Sequence, residues 1–384
     1  MRIAYFTDTF MPQINGVTNT LEKLGDYLVS KDIKHMFFAP QYLSKIERPP
    51  KSPVYRFNSV SFPIYPECRL SIPMYSNLCK VADSFSPDIV HLVTPLGIGL
   101  MGLRYARERN IPVVSSFHTN FDIYLKYYRF EYLEEMVWNF FRWFHSFCSV
   151  NFCPSYDTAK TLESKGINNL KIWSRGIDTG KYTARQGHLP SKQGISLDTP
   201  TTFLYVGRLA PEKDLDILMD SIENINRLYP EKARFVIVGD GPMSKKLKTG
   251  APANVCFTGY LRGERLAEAY ASADIFVFPS GTETFGNVIL EAMASGLPVI
   301  GVNSGGVTDN IIHRYNGLLC KPRDTESFTA GIADLLENRR LAEAMSKNAR
   351  EYTLQKTWDK VFRQLVYDYY SVLKSCRQSL STPA

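Results

Sequence analysis

Short β-rich runs alternate with helical patterns along this chain, and the alternation stops once and starts again. Residues 2–6 (RIAYF), 34–39 (KHMFFA), 88–93 (DIVHLV), 112–117 (PVVSSF), 148–153 (CSVNFC) and 170–173 (LKIW) read as strands. They are mostly apolar without strict alternation, as strands buried on both faces of a parallel sheet must be. Residues 19–30 carry the spacing of an amphipathic helix, and another follows the third strand to about Arg109. Residues 185–200 (RQGHLPSKQGISLDTP) are polar, hold two glycines and two prolines, and read as a linker. Strands then resume at 202–206, 234–238, 255–258, 275–279, 298–301 and 317–319, with helices between them and helix from about Asp324 to Cys376. Repeated strand–helix units mean βα units over a parallel sheet. Two such α/β domains are expected, 1–185 and 201–357, joined by 186–200, and a length of 384 residues suits that number.

Composition narrows the class. Hydrophobic residues make up 44% and charged residues 22%, which fits a soluble globular chain and excludes a disordered or collagen-like one. Net charge is +7, and its distribution is uneven. Residues 1–200 hold 23 Lys+Arg against 17 Asp+Glu, a balance of +6; residues 201–384 hold 22 against 21, a balance of +1. A basic first half suits an anionic surface or substrate. The charge is modest and forms no basic stripe, so no nucleic-acid partner is expected. The 7 cysteines are odd in number and show no C-x-x-C spacing, which favours reduced thiols in a cytoplasmic setting. The N-terminus shows no apolar signal segment. The longest apolar stretch, near 89–103, is interrupted by His91, Thr94 and Pro95 and falls short of the roughly 20 residues a spanning helix needs. Any membrane contact is expected to be peripheral.

Four segments sit where ligands of such folds bind, at the carboxyl ends of strands. The first strand runs into Thr7–Gly16 (TDTFMPQING), where Gly16 beside a helix start lets backbone N–H groups approach a phosphate. Gly207-Arg208 follows the first strand of the second series, with Glu212-Lys213 soon after; two cations there would neutralise a diphosphate. Val238-Gly239-Asp240-Gly241-Pro242 ends another strand. The sharpest segment is 281–296 (GTETFGNVILEAMASG), which places Glu283 in a loop and Glu291 eight residues on, inside a helix. A carboxylate accepts hydrogen bonds from paired hydroxyls, and N–H groups at a helix start hold anionic oxygens. G-x-G-x-x-G is absent.

The Glu283–Glu291 spacing, with Phe285-Gly286 inside it and Ala292–Ile300 after it, resembles the retaining GT-B glycosyltransferases, and among them glycosyltransferase family 4 (group 1). Gly207-Arg208…Glu212-Lys213, Gly239-Asp240-Gly241-Pro242, Gly305-Gly306, Asn15-Gly16-Val17 and Phe117-His118-Thr119-Asn120 match the same family in the same order. The likeness covers nearly the whole chain and is greatest to GDP-mannose-dependent α-mannosyltransferases and glycolipid-forming members. It implies two Rossmann-like domains facing each other across a cleft, with a C-terminal helix, residues 358–384, crossing back to the first.

The resemblance also implies roles. Arg208, Lys213 and Gly16 would serve the donor diphosphate. Glu291 would bind ribose. Glu283 would bind the donor sugar, with the N–H groups of Phe285, Gly286 and Asn287 nearby. His118 would lie at the reacting sugar. The donor would be a nucleotide diphosphate sugar, GDP-mannose or a UDP-hexose, used without metal or other cofactor. The acceptor would be a lipid or a glycan. Reaction would be a front-face displacement in which the leaving phosphate takes the acceptor's proton. A nucleotide-sugar epimerase on the same fold, or a non-catalytic nucleotide-sugar-binding partner, are the alternatives.

Residues 121–150 hold 12 aromatics, with Lys126, Arg129 and Arg142 among them. Aromatic and basic side chains together suit an interfacial helix on an anionic membrane, or a core helix of the acceptor side. Asn120, Tyr124, Tyr128 and Arg129 are the acceptor-side candidates.

Overall fold

The computed structural model describes residues 1–13, 15–42, 49–62, 65–71, 74–118, 131–183 and 200–381. They divide into two compact units, one from residues 1–118, 132–174 and 358–381 and the other from 175–183 and 200–357. Most of the expected linker, and the acceptor-side candidates Asn120, Tyr124, Tyr128 and Arg129, lie outside the described residues.

The strands of the first unit are β1 (Arg2–Phe6), β2 (Lys34–Pro40), β3 (Val54–Phe57), β4 (Ser59–Phe62), β5 (Tyr65–Ser71), β6 (Ile89–Leu92), β7 (Val113–Ser116), β8 (Val150–Cys153) and β9 (Leu170–Ile172). Seven pair in parallel in the order β3-β2-β1-β6-β7-β8-β9, while β4 and β5 form an antiparallel hairpin. Both faces of the sheet are covered. Ile3 and Tyr5 of β1 point into one apolar cluster and Ala4 and Phe6 into another, the period-two alternation of a strand. The helices are α1 (Gly16–Ser30), α2 (Tyr75–Phe85), α3 (Gly97–Glu108), α4 (Glu134–Ser146) and α5 (Tyr156–Ser164).

The second unit carries β10 (Thr201–Val206), β11 (Ala233–Val238), β12 (Val255–Gly259), β13 (Ile275–Phe278), β14 (Val299–Val302) and β15 (Gly317–Cys320), all parallel, in the order β12-β11-β10-β13-β14-β15. Its helices are α6 (Leu215–Leu228), α7 (Ser244–Thr249), α8 (Gly263–Ala271), α9 (Asn287–Ala294), α10 (Thr325–Glu337) and α11 (Arg339–Leu354). This is the Rossmann order, in which the chain winds outward from β10, then returns to β13 and winds the other way. The crevice outside the carboxyl ends of β10 and β13 is therefore the ligand position that topology dictates.

The last helix, α12 (Trp358–Ser381), belongs to the first unit. Its Phe362, Leu365, Tyr369 and Val372 pack in the same cluster as Ile3, Tyr5 and Leu21. The helical stretch expected from Asp324 to Cys376 is thus three helices. Asn338 ends the first and caps the second, its Oδ1 accepting the Leu341 N–H at 3.1 Å. The sequence reading also missed β3 and the β4–β5 hairpin. Val54–Phe57 is only partly buried and so lacks a continuous apolar run.

Candidate active site

In the second unit the loops after β10 and β13 meet at the strand-order reversal. Lys213 sits in a short 3-10 turn, Pro211–Lys213, and its Nζ lies 2.5 Å from Oε1 of Glu283 in the loop after β13. Both side chains keep partial solvent access, at 13% and 25%. Arg208 lies 3.9 Å from the buried carboxylate of Glu212. The Glu212 carbonyl accepts from the hydroxyl of Thr282 at 2.9 Å, which ties the β10 loop to the β13 loop. Tyr205 is fully buried beneath them. Burial raises its phenol far above the ordinary range, and the charges of Glu283 and Glu212 push the same way. The turn after β11 braces the Arg208 loop, since Leu209 N–H donates to the Asp240 carbonyl and Met243 N–H to that of Leu209, at 3.0 and 2.9 Å.

Helix α9 begins with Gly286 in the left-handed region (φ 79°), a conformation that favours glycine, and no side chain caps it. Its first N–H groups carry the positive end of the helix dipole. Gly305-Gly306 cross behind this loop. Gly306 N–H donates to the Glu283 carbonyl at 2.7 Å, and a Cβ at Gly306 would lie 2.2 Å from the Thr284 carbonyl oxygen. The Asn310 amide donates to the Phe285 carbonyl at 2.8 Å. Phe285 itself is buried, so the loop carrying Glu283 is pinned from both sides.

Glu291 lies on the second turn of α9. The hydroxyl of Tyr270, on α8, donates to its Oε2 at 3.0 Å. Tyr182 feels the same carboxylate, whose charge adds to burial in raising its phenol well above the ordinary range. The two tyrosine rings meet edge to face with centroids 5.7 Å apart. The sequence reading named neither tyrosine, nor the buried Glu212 as Arg208's neighbour. Tyr182 is distant in sequence from the Glu-x7-Glu segment, and nothing in its local pattern points there.

In the first unit, Asn15 caps α1, its Oδ1 accepting the Thr18 N–H at 2.8 Å, and Gly16 is the first helical residue. Asp8 is buried in the same loop. Its carboxylate accepts from Thr94 Oγ1 at 2.7 Å and from Ile98 N–H at 2.9 Å, capping α3 from outside that helix. Burial raises its pKa despite those bonds. His118 follows β7 and meets Trp173 edge-on at 5.4 Å. The same indole also meets a buried histidine, His91 of β6. Its Nδ1 shares a hydrogen bond with the Tyr369 hydroxyl at 2.6 Å, and its Nε2 bonds Ser116. Burial pushes His91 down to about 3, so it is neutral. Its ring lies 5.5 Å from Trp173.

Helix α4 buries Trp138, Phe141 and Phe144, so these aromatics of the 121–150 segment are core, while its residues 121–130 lie outside the described residues. Met136 and Trp143 are exposed on its other side, and Tyr132 is exposed in the 3-10 turn, Glu131–Leu133, that leads into it. Asp214 and Asp216 share an Asp-x-Asp spacing. Asp214, however, is buried, with its carboxylate 3.7 Å from Arg323.

Comparisons with known proteins agree with this geometry. The family description "Glycosyl transferases group 1" matches residues 190–352, and "Glycosyltransferase Family 4" matches 14–181. The chain is 32% identical to a GDP-mannose-dependent alpha-mannosyltransferase of Mycobacterium tuberculosis, over 97% of each chain. It is 34% identical to the Arabidopsis thaliana sulfoquinovosyl transferase SQD2 over 80% of this chain, a match spanning 61% of that protein. Among solved structures, sucrose-phosphate synthase from Thermosynechococcus elongatus superposes with a TM-score of 0.77 at 18% identity, covering 97% of this chain and 99% of that one. Anabaena HepE in complex with UDP superposes with a TM-score of 0.75 at 18% identity, covering 97% and 100%. With two Rossmann-type sheets, Arg208, Lys213 and Glu283 gathered at one strand-order reversal, and relatives matched over nearly its full length, this chain belongs to glycosyltransferase family 4 and has the GT-B fold.

Proposed function

We propose that this chain is a retaining hexosyltransferase that moves a mannosyl or glucosyl group from a nucleotide diphosphate sugar, GDP-mannose or a UDP-hexose, to a lipid or glycan acceptor. The observation that carries this reading is the Lys213–Glu283 pair beside Arg208 at the β10/β13 crevice. A diphosphate placed there meets two cations and the uncapped start of α9. Lys213 then sits between the phosphate and Glu283, whose free oxygen accepts from hydroxyls of the transferred sugar. Glu291 accepts from the ribose hydroxyls.

The bond from the sugar's anomeric carbon to the phosphate oxygen breaks as the bond to the acceptor oxygen forms on the same face. The departing phosphate oxygen takes the acceptor's proton. The protein's part is to orient both reactants and to stabilise the charge that develops on the diphosphate. Arg208 and Lys213 supply that charge stabilisation without a metal. His118 positions the reacting sugar, and Gly16 leaves room for the diphosphate beside α1.

A lipid acceptor is supported by relatives whose printed names include an alpha-monoglucosyldiacylglycerol synthase of Streptococcus pneumoniae. It is supported also by the exposed Tyr132, Met136 and Trp143 in the more basic half of the chain. Among the described residues no helix is long and apolar enough to cross a membrane. Contact would therefore be peripheral, at the cytoplasmic face.

The test has two arms. Thermal-shift binding of GDP, UDP and ADP without added metal should raise the melting temperature with one clear preference. Incubation with the matching labelled sugar nucleotide and diacylglycerol-containing vesicles should then yield a labelled lipid with the donor's anomeric configuration. Binding without transfer to any lipid or glycan would overturn the enzymatic reading, and an inverted product would overturn retention.

A further inference from the structure

We propose that Tyr182 and Tyr270 clamp the carboxylate of Glu291 in the orientation that receives a nucleotide ribose, and so set nucleotide affinity without touching the nucleotide. The inference rests on the reading of Glu291 given above and adds two positioning residues to it.

Two tyrosines bear on the carboxylate. Tyr270 comes from α8 and is fully buried; its hydroxyl donates to Oε2 at 3.0 Å. Tyr182 comes from the first segment of the second unit, is 6% exposed, packs its ring on that of Tyr270 and feels the charge of the same carboxylate. The edge-to-face contact between the rings fixes both hydroxyls relative to one another. Tyr182 is itself anchored. Its N–H donates to the Asp178 carbonyl at 3.0 Å, and Arg350 of α11 donates to the Tyr182 carbonyl at 2.8 Å and to that of Thr179 at 3.1 Å. The same guanidinium also donates to the Ala294 carbonyl at the end of α9. The helix carrying Glu291 and the segment carrying Tyr182 are thus stapled by one arginine.

An ionised carboxylate has about four acceptor positions, so Tyr270 can fill one while others stay open. Glu291 is only partly buried, whereas both tyrosines are closed off from solvent. A glutamate side chain left alone samples several rotamers; the charge-assisted bond from Tyr270, whose ring is held by Tyr182, restricts that freedom before ligand arrives. Both tyrosines are held protonated, since burial and the neighbouring carboxylate raise their pKa well above 10, so they remain donors at any physiological pH.

The experiment compares Tyr270→Phe and Tyr182→Phe with the wild-type full chain by calorimetric titration. The probes are GDP or UDP, whichever the wild type binds more tightly, and its 2′,3′-dideoxy analogue. Each variant is expected to bind the ribonucleotide about ten- to hundredfold more weakly, the worth of a hydrogen bond to a charged group, and to bind the dideoxy analogue as the wild type does. In a Glu291→Gln background the same phenylalanine substitutions should cost nothing further. Equal weakening of both ligands, or full additivity with Glu291→Gln, would mean that the tyrosines act only on the fold and would overturn the clamp. The dideoxy analogue also reports whether each variant folds. A wild type that binds ribo- and dideoxynucleotide alike would overturn the ribose role of Glu291 and the clamp together. A wild type that discriminates, with variants that do so equally well, would overturn the clamp alone.

Discussion

The two units share a parallel sheet and a winding order but treat polar groups in opposite ways. The first buries neutral ones: His91 between Ser116 and Tyr369, and His145 with Ser115 and Asn151, all nearly inaccessible. The second gathers charged ones at the carboxyl ends of β10 and β13, where Lys213–Glu283 stays partly wet and Arg208 lies beside the buried Glu212. A buried neutral network fixes shape, because a group left without its bond costs desolvation. A half-exposed charged loop is ready to exchange its partners for a ligand's. On the reading proposed above, the first unit's role is to position His118 and the second's is to trade ion pairs for a diphosphate.

Substitutions separate these two designs. The largest effect is expected for Lys213→Ala, which should lower the turnover of donor about 10²–10³-fold in steady-state transfer assays, the usual cost of removing one preorganised charge donor. The melting temperature should barely move, since a partly exposed ion pair adds little stability. A large loss of stability would show that this pair is structural, and would erase the contrast.

Next comes the division between His118 and Glu291. His118→Ala should leave nucleotide binding intact and reduce turnover by roughly 10²-fold, in line with the loss of a positioning contact. Glu291→Ala should instead weaken nucleotide binding. Equal loss of both properties in both variants would contradict the assignment.

Acid should single out the first unit. His91 is pushed down to about 3 and His145 to about 4, in both cases chiefly by burial. The unfolded chain takes up their protons below about 6.5, while the folded unit does not. Stability is therefore fully present above 6.5 and is lost as pH falls, by roughly tenfold in the folding constant per pH unit for each histidine. Proteolysis at pH 5 should cut the first unit while the second resists. Simultaneous cleavage of both would break the comparison. The smallest expected effect is that of Tyr369→Phe, which strands His91 Nδ1 and should destabilise the first unit by about 1–3 kcal/mol in a denaturant titration, without changing GDP or UDP binding.

Most of the second unit was legible in the sequence, because its working residues sit in short loops directly after apolar strands. Arg208, Lys213 and Glu283 could be placed at strand ends from the alternation alone. What could not be read is whatever depends on contact between distant segments. Glu291 could be placed inside a helix, but its partner Tyr270 comes from another helix and Tyr182 from a distant segment. His91 looked like an interruption in a strand, and its partner Tyr369 lies 278 residues away. Helix α4 carries aromatics on both sides, so composition could not separate the core set, Trp138, Phe141 and Phe144, from the exposed Met136 and Trp143. The break at Asn338 was missed because a capping asparagine between two helical patterns interrupts neither.

Because α12 completes the first unit, the second unit is an insertion within it, and this orders events during synthesis. A ribosome delivers β1 to β9 first, then the whole of the second unit, and only then the helix that covers Ile3, Tyr5 and Phe37. The second unit can close while its predecessor still waits with one apolar face uncovered. A nascent chain halted before Trp358 therefore presents a finished second unit tethered to an unfinished first one. That exposed face is the natural target for a chaperone until α12 emerges.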